Sequence, residues 1–266
     1  MLAGILGLAL ALPGNIQKPE LEIEVLNKQP VAQKVEQVKL EETRADSVFG
    51  EFPNNIPGTK IEKHDDWDSK YYIVHVKQKH FTEYDPDKIN NNALQEFAQK
   101  LWVEQYKEVN KNQMKISSTL NYLSKTKGYD KRLFLEGLTN YLRERDLKLN
   151  WALSLAKIKK ITGLSEDEVM EKYPYAPGAF YPLAMGLGWE LLPAESKELN
   201  ARAFENRTPE IQEARENYAL ERISEKGYHM NFLLYGRNHD FRNNIEEWNE
   251  KHPDRKFSLI ELDVED

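Results

Sequence analysis

The sequence predicts an α/β protein built on a mostly parallel sheet flanked by helices, with a polar arm at its N-terminus. Three observations lead there. From Trp67 onward, short apolar runs of strand length alternate with long segments of helical periodicity. Helix start and stop signals fall in the gaps between those runs. Residues 13 to about 66 instead carry Pro13, Pro19, Pro30, Pro53 and Pro57 among many Glu and Lys, the composition of a linker. The chain therefore divides into residues 1–66, an apolar segment and arm, and residues 67–266, the α/β domain.

The elements follow in order. The apolar run Leu2–Leu12 is far short of the ~20 residues that span a bilayer. It resembles the apolar region of a signal peptide, with Ala9 and Ala11 as a small-residue pair, but has no basic residues before it. It is read as an export or peripheral membrane-docking segment, favouring an extracytoplasmic or membrane-associated protein over a cytoplasmic one. A buried N-terminal helix is the plainer alternative. Within the arm, "LEIEVL" (Leu21–Leu26) alternates as a strand does, and the rest is expected to have little order.

Tyr71–Val76 is the first strand of the domain. Asp85 followed by Pro86 reads as an N-cap with proline at the first helical position, where its missing N–H costs nothing. Leu94, Phe97, Leu101 and Tyr106 then recur at helical spacing. Arg132–Leu138 is the second strand. Ser165 and Glu168 form a capping box, and Thr208 with Pro209 repeats the cap-plus-proline start. Trp189–Glu195, Asn231–Gly236 and Phe257–Leu262 are the remaining strands, and Pro253 stops the helix between the last two.

Strand–helix alternation implies right-handed parallel crossovers, and ligands in such sheets bind beyond the carboxyl ends of the strands. The residues at those ends are His80, Glu136, Glu195, Gly236, His239 and Asp240. If the strands lie side by side, two histidines and two glutamates converge on one edge. A neutral imidazole ligates a metal or takes a proton from water near neutral pH, and a carboxylate beside it completes a metal site or orients the ring. Gly236 suits a tight exit from strand to helix, and the helix start after His239 offers backbone N–H groups to an anion or developing oxyanion. Taken singly, each histidine is a polar loop residue and each glutamate a surface or capping carboxylate; their joint placement points to function. His75, inside a strand, is expected to be half-buried and structural. His64, His229 and His252 lie in polar contexts and are poor candidates. Tyr173–Pro182 reads as packing and loop stiffening, with a pocket rim as the alternative.

Composition excludes several classes. Asp and Glu number 44 against 37 Lys and Arg, for a net charge of −7, and no basic stripe stands out, so the chain does not read as a nucleic-acid binder. With no cysteine there is no disulfide, thiolate metal site or cysteine nucleophile. No Walker A loop, H-E-x-x-H, G-x-S-x-G or G-x-G-x-x-G is present.

The ordered set of motifs resembles the superfamily joining erythromycin esterases, the ChaN haem-binding proteins and the TIKI/TraB proteins. "VKQKH" looks like the segment carrying the first histidine, His80; "LFLEGL" like the strand ending in Glu-Gly, with Glu136; "EARENYALERI" like the helix with an Arg-Glu pair, Arg215 and Glu216; and "GRNH" like the closing Gly-x-x-His, Gly236 to His239. The similarity covers roughly residues 70 to 266. It implies a hydrolase of ester or peptide bonds, acting on a small-molecule or peptide substrate. In that reading His80 activates water directly or on a divalent metal ion, and Glu136 orients it or shares the metal. His239 is then the third metal ligand or stabilises the oxyanion, while Arg215 holds an anionic substrate group or braces Glu136. A non-catalytic haem- or metal-binding protein is the alternative. One departure bears on both: Lys77 and Gln78 stand where the family has Gly and, in some branches, Glu, which removes a charge that would serve as ligand or base.

Overall fold

A computed structural model describes residues 52–64, 69–79, 92–175 and 178–264. Their sheet has six strands: β1 (Thr59–His64), β2 (Tyr71–Gln78), β3 (Arg132–Leu135), β4 (Glu190–Pro193), β5 (Met230–Gly236) and β6 (Phe257–Val264). The order is β1-β6-β2-β5-β3-β4, parallel throughout except for the antiparallel β1–β6 pair. Among the described residues seven α-helices flank it: α1 (Asn92–Lys127), α2 (Glu144–Thr162), α3 (Glu166–Lys172), α4 (Phe180–Leu187), α5 (Lys197–Glu205), α6 (Pro209–Lys226) and α7 (Phe241–Lys251).

Strand side chains alternate between two faces, and both faces are covered. On one, Val74, Val76, Leu133, Phe232, Leu234 and Ile260 pack against Ile116, Leu120 and Leu123 of α1 and Phe180 and Leu183 of α4. On the other, Ile73, Phe134, Leu192, Leu233 and Leu259 meet Ala219, Leu220 and Ile223 of α6 and Phe241 and Ile245 of α7. Helix α1 has 36 residues, about 54 Å at 1.5 Å each, so it outruns the sheet. Its Trp102 and Tyr106 pack instead with Leu155, Ile158 and Ile161 of α2 and Val169 of α3.

The local signals operate as the sequence implies. Ser165 accepts from the Glu168 N–H while the Glu168 carboxylate accepts from the Ser165 N–H at 2.8 Å. Thr208 caps α6 with Pro209 at its start, and α7 ends before Pro253. Strand β3 stops at Leu135, three residues before the expected end, because Gly137 takes a φ of 78° and Leu138 N–H turns back onto Leu135 O at 3.2 Å. Asp85, Pro86, the segment Leu2–Leu12 and Leu21–Leu26 lie outside the described residues.

One expectation is corrected. The polar arm does not run to residue 66, because Thr59–His64 is a strand of the sheet, paired in full register with Leu259–Val264. Ile61 is its one apolar residue, so it shows no strand periodicity in the sequence; an edge strand buries little and its outward side chains remain polar.

The connections locate the site. From β2 the chain crosses over one face through α1 to β3; from β5 it crosses the other face through α7 to β6. Those connections leave the adjacent strands β2 and β5 in opposite directions along the sheet. That is the topological switch point, where a crevice opens beyond the strand ends of an open α/β sheet. The two ends are tied there by Arg237 N–H on Gln78 O at 3.0 Å.

Candidate active site

Beyond the ends of β3, β4 and β5, four charged side chains and one imidazole are buried together. Arg215 is 2 % exposed, Glu195 1 %, His239 2 %, Glu216 5 % and Glu136 7 %. Arg215 projects from α6. Its Nη2 donates to Glu195 Oε1 at 2.5 Å and to Glu136 Oε1 at 3.0 Å, and its Nε donates to Glu195 at 3.1 Å. The Tyr235 hydroxyl donates to Glu195 Oε1 at 2.6 Å. Glu136 Oε2 accepts from the Gly236 N–H at 2.7 Å and lies 3.5 Å from the Gln78 amide nitrogen. One guanidinium thus bridges the carboxylates that follow two neighbouring strands.

His239 sits against this network through both ring nitrogens. Nδ1 lies 2.7 Å from Glu216 Oε1, and since an ionised carboxylate only accepts, Nδ1 carries the proton. Nε2 faces Glu136 Oε1 at 3.4 Å but has no hydrogen-bond partner among the described residues. Glu216 is itself held, by the Gln212 amide on Oε1 at 3.3 Å. With its amide turned to satisfy its neighbours, Asn244 donates to Oε2 at 2.9 Å.

The electrostatics follow from this packing. Burial opposes a charged His239, but the carboxylates of Glu136 and Glu216 outweigh it and raise its pKa above the ordinary 6.5. Burial raises Glu195 above the usual carboxylate value, opposed by Arg215. Burial also pushes the Tyr235 phenol well above 10, with Glu195 adding to it, so the phenol stays protonated and donates. For Arg215, burial is overcome by Glu195, which fixes the guanidinium in its charged form.

The candidate residues divide accordingly. Glu136, Glu195, Gly236, Arg215 and His239 come together, and neither glutamate is the surface group it would be taken for singly. His80 lies outside the described residues, two positions beyond the end of β2. Asp240 does not join the cluster: it is exposed, caps α7 through Arg242 N–H at 3.1 Å and pairs with the Arg242 side chain. At the helix start after His239 the Arg242 N–H is taken by Asp240 Oδ1 at 3.1 Å, and the turn ahead of it uses its own N–H groups. Gly236 N–H is spent on Glu136, Arg237 N–H on Gln78 O, and His239 N–H on Gly236 O at 3.0 Å. Of the Tyr173–Pro182 stretch, Tyr173, Ala179 and Phe180 are buried, and Ala179 N–H is held by Gln113.

Two residues of the cluster, Glu216 and Tyr235, carry no role in the sequence reading. A signal for Glu216 exists. Ile211, Arg215, Glu216, Ala219, Leu220 and Ile223 are the buried stripe of α6, and two charged residues on an apolar stripe require buried partners.

No family model matches the chain, and neither does a curated protein or a solved structure. A cleft of about 590 Å³ between α6 and α7 reaches Glu216 from solvent, lined by Arg207, Gln212, Asp240, Asn243 and Asn244 among others.

A second polar cluster lies at the other edge of the same sheet face. Glu62 and His64 of β1 and Glu261 of β6 each offer one ligand atom, all within 4.8 Å of one another, a grouping able to hold a metal ion. His64, set aside on sequence as a polar-context histidine, belongs to it. His75 beside it is fully buried rather than half-buried. Among the described residues, no helix is long and apolar enough to cross a membrane.

Proposed function

We propose that this chain is a hydrolase of ester or peptide bonds in which His239 moves the proton. The reading is in keeping with the sequence resemblance to the erythromycin esterase, ChaN and TIKI/TraB proteins. One observation carries it: a buried imidazole whose Nδ1 is anchored to Glu216 while Nε2 has no hydrogen-bond partner among the described residues. Anchoring one ring nitrogen on a carboxylate while the other is left open orients the ring for proton transfer, at a cost of about 1–3 kcal/mol for the unsatisfied buried atom. In the proposed reaction Nε2 takes a proton from water, and Glu216 stabilises the resulting imidazolium. The hydroxide attacks the carbonyl carbon, and Nε2 returns the proton to the departing alcohol or amine. Glu136, 3.4 Å from Nε2, favours the protonated ring. Arg215 serves as a brace for Glu136 and Glu195, both of its carboxylate partners being protein groups.

A metal ion shared by Glu136 and His239 fits this donor set poorly. Arg215 already occupies Glu136 Oε1, Gly236 N–H occupies Oε2, and the guanidinium repels a cation. The proposed reaction needs no metal ion.

The test is a panel of ester and peptide substrates with the wild type, His239→Ala, Glu216→Gln and His80→Ala. His239→Ala should lower kcat/KM by about 10²-fold or more with an unchanged circular dichroism spectrum. A wild type inert on the whole panel, or activity that survives His239→Ala, sinks the proposal.

A binding role on the same fold, for haem or a metal, is the second reading. It is favoured by the departure from the resembling families: Lys77, whose ammonium is 2.7 Å from Glu261 Oε1, stands where they have Gly, and Gln78, whose amide approaches Glu136, stands where some branches have Glu. Haem titration separates the two, since a Soret shift lost on His239→Ala supports binding.

A further inference from the structure

We propose that Glu62, His64 and Glu261 form a site for a divalent transition-metal cation of the Zn2+ type, which clasps the edge strand β1 to the rest of the sheet. The inference is independent of the hydrolase reading. Glu62 lies directly opposite Glu261 in the β1–β6 ladder, and Glu261 directly opposite His75 in the β6–β2 ladder. His64, two residues after Glu62, shares its face of the sheet because side chains alternate with period two. Like charges opposed across strands are unfavourable unless something cationic lies between them, and Glu62 faces Glu261.

The spacing suits a small ion. His64 Nε2 and Glu261 Oε2 are 3.2 Å apart. Ligands at about 2.0–2.1 Å from a tetrahedral ion lie roughly 3.3 Å from each other. One imidazole with two carboxylates favours Zn2+ and its neighbours over Mg2+ or Ca2+, and three protein ligands leave a fourth position for water. The lysines present do not block it. Lys77 holds the other oxygen of Glu261, Oε1, at 2.7 Å, and Lys60, on Glu62 Oε1 at 2.5 Å, has a 60 % exposed side chain, an ion pair that is cheaply displaced.

His75 is a separate observation that points to the same place. It is 0 % exposed, and neither ring nitrogen has a hydrogen-bond partner among the described residues. Its Nδ1 is directed at Glu261 Oε1 across 3.8 Å, beyond hydrogen-bond length. Carboxylates that bind metals are themselves held by a donor behind them, and a buried imidazole N–H aimed at Glu261 is such a donor, needing only a few tenths of an ångström of closure.

The experiment uses the full chain, stripped with a chelator and dialysed. Zn2+ at about a hundredfold excess over its Kd should raise the thermal unfolding midpoint by roughly 5–10 °C, and Mg2+ should not. Co2+ should give the visible bands of a tetrahedral site. Both effects should vanish in His64→Ala, a residue whose side chain is 34 % exposed and on an edge strand. His64→Gln provides the same comparison if the alanine variant does not fold. The proposal is overturned if Zn2+ leaves the midpoint unchanged, if the shift persists in the His64 variants, or if Mg2+ reproduces it.

Discussion

Arg215 and Glu195 meet inside the protein with side-chain exposures of 2 % and 0 %, joined by two guanidinium nitrogens to one carboxylate. Nothing in their separation of twenty residues requires this. It arises because α6 lies over the carboxyl ends of β3, β4 and β5, where Glu136 and Glu195 emerge.

Removing the cation should be far worse than removing one anion. Arg215→Met leaves Glu136 and Glu195 buried without their shared partner, at a cost of about 3–5 kcal/mol. Glu195→Gln keeps an acceptor for Arg215 and Tyr235 and should cost less. Urea unfolding of both variants checks the ordering; equal losses would count against the bridging role.

His239 should give stability a pH dependence of known sign. Its folded pKa is raised above 6.5, so folding favours the protonated ring. The contribution is fully present below about pH 6.5 and is lost as pH rises through the folded value. The difference in unfolding free energy between the wild type and His239→Gln should therefore shrink on the alkaline side of 6.5, read from urea midpoints across that range.

Glu216 should matter to turnover more than to folding. Glu216→Gln removes the charge that stabilises the imidazolium while keeping a polar partner for Nδ1. We expect a loss in kcat of about 10²–10⁴-fold, whereas Glu221→Ala, exposed on the same helix and away from the cleft, should leave kcat unchanged.

Asn249 ties α7 to the start of β6 through both faces of its amide, donating to Phe257 O and accepting from Phe257 N–H, each at 2.8 Å. Asn249→Ala strands two buried backbone groups, which predicts a loss of about 2–4 kcal/mol. A chemical-denaturation midpoint within error of wild type would refute this.

What the sequence determined by itself was local. The periods of 2 and 3.6, the caps at Ser165 and Thr208 and the stop at Pro253 depend on neighbouring residues, so five of the six strands and the helix boundaries just named are readable. Strand ends are readable to within two or three residues, which is enough for Glu136, Glu195 and His239 to stand out. Tertiary structure decided the rest, because burial and pairing are relations between distant segments. Only the order β2-β5-β3-β4 sets Gln78 beside Gly236 and brings Arg215 between two carboxylates. Only the pairing of β1 with β6 makes a strand of Thr59–His64 and gathers Glu62, His64 and Glu261. A charged residue in a sequence looks like surface until the fold removes it from water, and the cost of that removal is what forces its partners together.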